Sequence, residues 1–231
     1  MTDELPRPSK VRPPALRDDI LARPRLLDWL DAKIHRRVVA IVAEAGYGKT
    51  TLLADWSQRT RIRTAWYRLD DDDHDVITFI RYLLAACREV APELGAGTAS
   101  MLRDIGGLAV PSDVLVDTFL RELVALGDEP AAIILDDVHS LDGAPEVLRV
   151  LRELVARAPD RVTIVLSGRK RPPVALARLR TLGELAELSA DDLRFDHDET
   201  EALFRDAYHQ PLDRETLTAL ETRTEGWAAS L

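Results

Sequence analysis

The chain has one cysteine, Cys87, so it holds no internal disulfide framework, and a reducing, cytosolic compartment is its expected address. It also lacks any apolar run near the roughly 18 residues of a membrane span. Its opening, MTDELPRPSK, puts acids and prolines where a secretory signal has its apolar stretch. The expectation is a protein neither exported nor embedded in a membrane. Basic residues are outnumbered, 31 Lys and Arg against 40 Asp and Glu, and the net charge of −9 repels phosphate backbones. DNA binding through the whole surface is therefore excluded, and any such binding needs another segment or chain. Aromatic residues make up only 5%, and no internal repeat or low-complexity tract is present. What remains is a chain of 231 residues that is 46% hydrophobic and 31% charged, enough to bury a core and to form one or two domains at about 150 residues each.

Charge is uneven along the chain. Residues 1–37 carry +3 and the remainder −12, so a basic N-terminal arm precedes an acidic body. Four prolines in residues 6–17 (PRPSKVRPPALR) predict an extended arm, with residues 1–22 outside the folded domain. A short helix is expected from Pro24. Residues 37–43 (RVVAIVA) form the β-branched run of a strand buried on both faces, and 63–69, 131–135, 161–166 and 185–188 are further strand candidates. Amphipathic helices are expected at 50–60, 75–90, 112–126 and 145–158. Strands alternating with helices predict an α/β doubly wound, mainly parallel sheet with helices on both faces, over residues 23–188. After 189 helices take over at 198–208 and 214–222, and a last one opens at Glu225. That final apolar segment (GWAASL) lacks a partner surface, which predicts that residues 189–231 are the start of a helical subdomain in a longer protein.

The decisive stretch is residues 43–50, AEAGYGKT, between a buried strand and a helix. The P-loop pattern G-x-x-x-x-G-K-[ST] has glycine first, and here Ala43 stands in that place. Gly46 and Gly48 allow the torsions that turn consecutive backbone N–H groups toward a phosphate, and the helix start adds its positive dipole end. The nucleotide-binding set is therefore Ala45, Gly46, Tyr47, Gly48, Lys49, Thr50 and Thr51. Lys49 reaches the β- and γ-phosphates, Thr50 ligates Mg²⁺ and Thr51 contacts the α-phosphate.

Residues 133–137, IILDD, place two acids at the end of an apolar strand, where open α/β sheets bind ligands. Asp136 is the expected Mg²⁺ holder, and Asp137 the catalytic acid that polarises water, with a second metal contact as its alternative role. A third strand end, VLSGR, offers Arg169 as a γ-phosphate sensor. Residues 161–180 carry six basic side chains and no acid, and for Lys170 and Arg171 pairing with acidic neighbours is an equal reading. The strand at 63–69, between loop and acids in the sequence, predicts a P-loop sheet in which another strand separates the two.

Other features read as structure. Asp70 to Asp73 with His74 and Asp75 resembles a metal cluster, but consecutive acids point in different directions, and Asp75 fits a helix cap. His35, His74, His139, His197 and His209 share no metal-ligand spacing. Cys87, Trp56 and Trp66 read as core.

These residues resemble the nucleotide-binding (NB-ARC/NACHT-like) module of STAND signal-transduction ATPases, in particular the large LuxR-type activators of the maltose-regulon kind. The resemblance runs nearly end to end, through SKVRPP, AEAGYGKTTLLADW, AWYRLDDDDHDVITFIRYLLAA, IILDDVHSL, LSGRKRPPVALARLR, ELAELSADDLRF and TEGWAASL. Ala43 is usual there. It implies a P-loop ATPase switch, closed and monomeric with ADP, open and self-associating with ATP and inducer. By that likeness Arg23 is the adenine-side arginine, although Ala22 replaces its accompanying glycine and the expected acid is absent. The family's winged-helix domain, effector-binding repeats and helix-turn-helix are not found by residue 231. A P-loop kinase and an AAA+-like remodelling ring are the alternatives. The first requires an arginine-bearing lid and an acceptor pocket, the second an arginine finger across subunits.

Overall fold

Five apolar runs become five strands: β1 (Val38–Val42), β2 (Arg63–Arg68), β3 (Ala131–Asp136), β4 (Val162–Gly168) and β5 (Leu185–Leu188). In the computed structural model, which describes residues 6–17, 20–104, 111–124, 129–172 and 174–231, they form one sheet in the order β2-β3-β4-β1-β5, and every pairing is parallel. Parallel neighbours need crossovers, and helices supply them. The crossovers use α3 (Lys49–Arg59), α4 (Val76–Arg88), α5 (Ala96–Asp104), α6 (Ser112–Leu123), α7 (Pro145–Arg157) and α8 (Leu176–Thr181), while α1 (Pro8–Val11) and α2 (Pro24–Lys33) precede the first strand and α9 (Ala190–Leu193), α10 (His197–Ala202) and α11 (Arg214–Thr224) follow the last. No helix among the described residues is long and apolar enough to cross a membrane.

The period of two along a strand divides the core. Val39 and Ile41 of β1, Ala132 and Ile134 of β3 and Val165 of β4 join the cluster of Leu30 of α2 and Leu53 and Trp56 of α3. Val38, Ile133, Leu135, Ile164 and Leu166 join the other, with Phe79 and Leu83 of α4, Phe119 of α6 and Leu151 of α7. Each large side chain removed from water in this way contributes about 1.5–3 kcal/mol, so the sheet is held from both faces. Cys87 and Trp66 are buried in these clusters, as expected, and Trp56 also donates its indole N–H to Asp31 at 2.7 Å.

The arm departs from its expected extended form. Pro8 sits in the first helical position, where a missing N–H is no loss, so residues 8–11 make one helical turn. That turn buries Lys10 and Val11 against the edge strand β2 and α4. The Lys10 ammonium donates to Asp70 and Asp73, each at 2.7 Å, and lies 4.6 Å from the centre of the Tyr82 ring. The Tyr67 hydroxyl donates to the same buried Asp73 at 2.7 Å. The acidic run is thus consumed by an ion cluster that covers the sheet edge, and Asp75 caps α4 by accepting from the Thr78 N–H at 2.8 Å.

Two further expectations change. A strand does separate β1 from β3, but it is β4, while the 63–69 strand lies at the edge. No helix opens at Glu225. Glu225 (φ 49°) and Gly226 (φ 70°) turn left-handed and end α11, the Gly226 carbonyl accepts from the Phe195 N–H at 2.8 Å, and only a short turn, Ala228–Ser230, follows. The helix expected at 198–208 is α10 continued by a wider turn, Leu203–Ala207, and the 112–126 expectation runs past the described residues after Val124.

Candidate functional site

The glycine loop leaves β1 and enters α3 with Gly46 at φ 83° and Gly48 at φ 73°, torsions that a side chain strains. Lys49 opens α3, and its ammonium donates back to the carbonyls of Ala43 (2.7 Å) and Glu44 (2.9 Å). Burial pushes the Lys49 pKa down, while the carboxylates of Asp137 and Asp136 oppose that shift. The ammonium therefore sits at the loop mouth, held by two neutral acceptors and close to both acids.

Across the loop, the Thr50 hydroxyl donates to Asp136 Oδ2 at 2.7 Å, tying α3 to the end of β3. Asp136 is fully buried, and burial raises its pKa, helped by the neighbouring Asp137 charge and opposed by the Thr50 hydrogen bond. Its Oδ1 is buried with no hydrogen-bond partner among the described residues. A buried carboxylate oxygen of this kind is satisfied by a donor or a cation, and the Thr50 hydroxyl beside it completes an all-oxygen set that fits Mg²⁺.

Asp137 follows in a left-handed conformation (φ 61°), which aspartate tolerates. Arg68, the last residue of β2, donates from Nε to Asp137 Oδ2 at 3.3 Å, and His139 Nδ1 lies 3.8 Å from Oδ1. Arg169, exposed just past the end of β4, borders a cavity of about 410 Å³ with Asp137, Arg68 and His139, and its charge helps lower the Lys49 pKa. Lys170 pairs with Asp142 at 2.9 Å, the bland reading of that basic loop.

A second cavity of about 380 Å³ opens beside α3, between Leu21, Gly48, Thr51, Phe195, Leu203 and Tyr208. Arg23 borders it but is committed to the helical end of the chain. It donates to the carbonyls of Leu193 and Arg194, both at 2.8 Å, and to Glu199 at 2.7 Å, with its guanidinium 4.1 Å from the Phe195 ring centre. Burial opposes ionisation of Glu199, yet the Arg23 guanidinium holds its carboxyl below the usual range. Glu199, 176 positions from Arg23, is not an acid of the N-terminal motif and was not singled out in the sequence. Trp227 also went unassigned: its indole N–H donates to the Ala45 carbonyl at 3.3 Å, and its ring lies 6.4 Å from that of Tyr47. The chain therefore gathers Lys49, Thr50, Asp136, Asp137 and Arg169 around three strand ends, with Thr51 and Arg23 on the wall of the adjoining cavity.

A family model described as an AAA domain matches residues 32–171. The chain belongs to the AAA domain family. Among curated relatives it is 33% identical over 226 residues to the serine/threonine-protein kinase PknK of Mycobacterium tuberculosis, covering 96% of this chain and 20% of that one. It is 29% identical over 224 residues to the HTH-type transcriptional regulator MalT of Vibrio parahaemolyticus, covering 97% of this chain and 24% of that protein. The chain thus spans about a fifth to a quarter of the length of these relatives. A solved signal-transduction ATPase with numerous domains (STAND) and a tetratricopeptide repeat sensor, from Pyrococcus horikoshii, has the same fold, with a TM-score of 0.63 at 18% identity, covering 96% of this chain and 30% of that one. The resemblance to LuxR-type STAND regulators read from the motifs is borne out by these relatives, as is the α/β P-loop fold.

Proposed function

We propose that this AAA domain is the ATP/ADP-binding switch module of a LuxR-type STAND transcriptional activator, acting in the cytoplasm. The observation that carries the reading is the Thr50 to Asp136 hydrogen bond beside the inturned Lys49 ammonium, because it unites a phosphate loop with an acid at one sheet edge. In this reading the loop N–H groups of residues 45–51 and Lys49 bind the phosphates, and Thr50 and Asp136 hold Mg²⁺, which when bound offsets phosphate charge. The base and ribose enter the cavity beside Thr51 and Arg23. Asp137 takes a proton from a water whose oxygen bonds to the γ-phosphorus, while the bond to the bridging oxygen breaks and its electron pair stays on ADP. Arg169 balances the charge of the γ-phosphate. A slow turnover suits a switch, with ATP favouring self-association. Inducer sensing and DNA binding belong to further domains (winged-helix, effector-binding repeats and helix-turn-helix), while the acidic body described here binds no DNA directly.

Calorimetric titration of ADP and ATP with Mg²⁺ into nucleotide-stripped protein tests the reading. Saturable binding that Lys49→Ala abolishes is the expected result. Absence of binding by folded wild-type protein, or equal binding by the variant, overturns it.

A further inference from the structure

The arm does more than cover a sheet edge. Held by Lys10 on Asp70 and Asp73, the α1 turn stands beside α4 and α5, and the three enclose a groove of about 830 Å³, about twice the volume of either cavity at the nucleotide end. Its floor is apolar: Val11, Leu84 and Ala99 are buried beneath it, and Leu102 is half-buried. Its rim is basic, with five arginines against one carboxylate, in a chain whose net charge is −9. Arg12 takes that carboxylate, donating to Glu89 at 2.8 Å. Arg88 gives its donors to the carbonyls of Leu94 (2.8 Å) and Gly95 (3.0 Å), which leaves its charge unbalanced. Arg81 and Arg103 have no ion-pair partner among the described residues.

Unbalanced arginines select carboxylates, and an aliphatic floor selects an apolar face. An amphipathic helix carries both, with leucines at i, i+3, i+4 and i+7 and acids beside them, and such a helix lies readily between two others. An added strand finds no edge here, because α1 covers β2. The groove is on the side of the sheet where Leu84 and Ala99 join the core of Phe79 and Phe119, whereas residues 190–193 pack with α2 and α3 on the other side. An occupant therefore reaches it without displacing the helical end. Because the Lys10 ion cluster fixes α1 in the free chain, docking does not have to order the groove's walls. We propose that this groove docks an acidic, leucine-bearing helix of a separate partner protein. Of its lining residues only Arg7 also borders the cavity at Asp137, so the inference does not rest on the ATP-switch reading.

The test is fluorescence anisotropy of a labelled synthetic helix of about 18 residues, with leucines on one face and glutamates flanking them. The wild-type chain should bind it saturably. Arg81→Glu combined with Arg103→Glu should weaken binding about tenfold or more while the melting temperature stays at the wild-type value. Added salt should weaken binding as well, because the rim is exposed. An equally acidic peptide with serine in place of leucine should not bind. No binding by the wild-type chain, or equal binding by the double variant, overturns the proposal. Equal binding of the serine peptide or of a single-stranded RNA also overturns it, since the rim would then be a plain anion surface. A dimer of the chain that the double variant disrupts assigns the groove to a second copy. Binding that emerges only after removal of residues 1–5 (MTDEL) assigns it to the chain's own acidic start. Either result overturns a separate partner.

Discussion

The hydroxyl of Thr50 and the carboxylate of Asp136 meet at 2.7 Å, joining residues 86 positions apart at the mouth of the sheet. The Thr50 hydroxyl supplies the hydrogen bond that Asp136 Oδ2 accepts, while Oδ1 is buried with no hydrogen-bond partner among the described residues. Thr50→Ala removes it and leaves a buried group short of a donor, which costs about 1–3 kcal/mol. It also removes one of the two oxygen groups proposed for Mg²⁺. The expected outcome is a folded variant with a lower Tm, whose ADP affinity no longer rises when Mg²⁺ is added. Titrations with and without Mg²⁺ check this, and a retained Mg²⁺ effect would sink the ligand assignment.

The sheet was readable because its central strands, β1, β3 and β4, are short, apolar, almost wholly buried runs, as strands covered on both faces of a parallel sheet are. The turn from β1 into α3 was readable because Gly46 and Gly48 supply the positive φ it needs, and Lys49 opens the helix. What escaped the sequence depends on distance or on small residues. Arg23 and Glu199 are 176 positions apart, and nothing local pairs them. Arg68 reads as an ordinary strand end until the sheet sets it beside Asp136. The helix Ala96–Asp104 (AGTASMLRD) is rich in small residues and shows no clear apolar stripe. Lys10 reads as part of a proline-rich arm, yet its ammonium is buried among acids supplied by residues 70–73.

Arg23 and Glu199 form a buried ion pair between the approach to α2 and α10, with side chains 8% and 9% exposed. Arg23→Ala removes the closer of two guanidinium partners of Glu199, leaving Arg25 at 3.1 Å, and should destabilise the fold by about 1–3 kcal/mol. The pair also sets a pH dependence. The carboxyl of Glu199 ionises below its ordinary value in the folded chain, so its stabilisation is fully present above the unfolded value, about 4.3. It is lost as pH falls below that value and through the depressed one. Denaturant melts of wild type and Glu199→Gln between neutral pH and about pH 3 should therefore converge on acidification. A gap that stays constant over that range would show that the pair does not titrate this way.

Trp227 touches the glycine loop from the far end of the chain: its N–H reaches the Ala45 carbonyl, and a Cβ added at Gly46 would meet its ring at 3.0 Å and the Ala229 methyl at 2.7 Å. It is 39% exposed, whereas Trp56 and Trp66 are each 1% exposed, so its emission is the one most open to a change at the loop. On the proposed reading, a phosphate held by the loop N–H groups would change the surroundings of the carbonyl to which Trp227 donates. Addition of ADP to stripped protein should therefore change tryptophan fluorescence, and Trp227→Phe should remove most of that change while ADP still binds by calorimetry. A signal of full size in Trp227→Phe would place the response elsewhere, at the half-buried Trp29 or in the core. Loss of ADP binding in that variant would instead make Trp227 part of the binding site, because the loop would then depend on its cover to hold the phosphate.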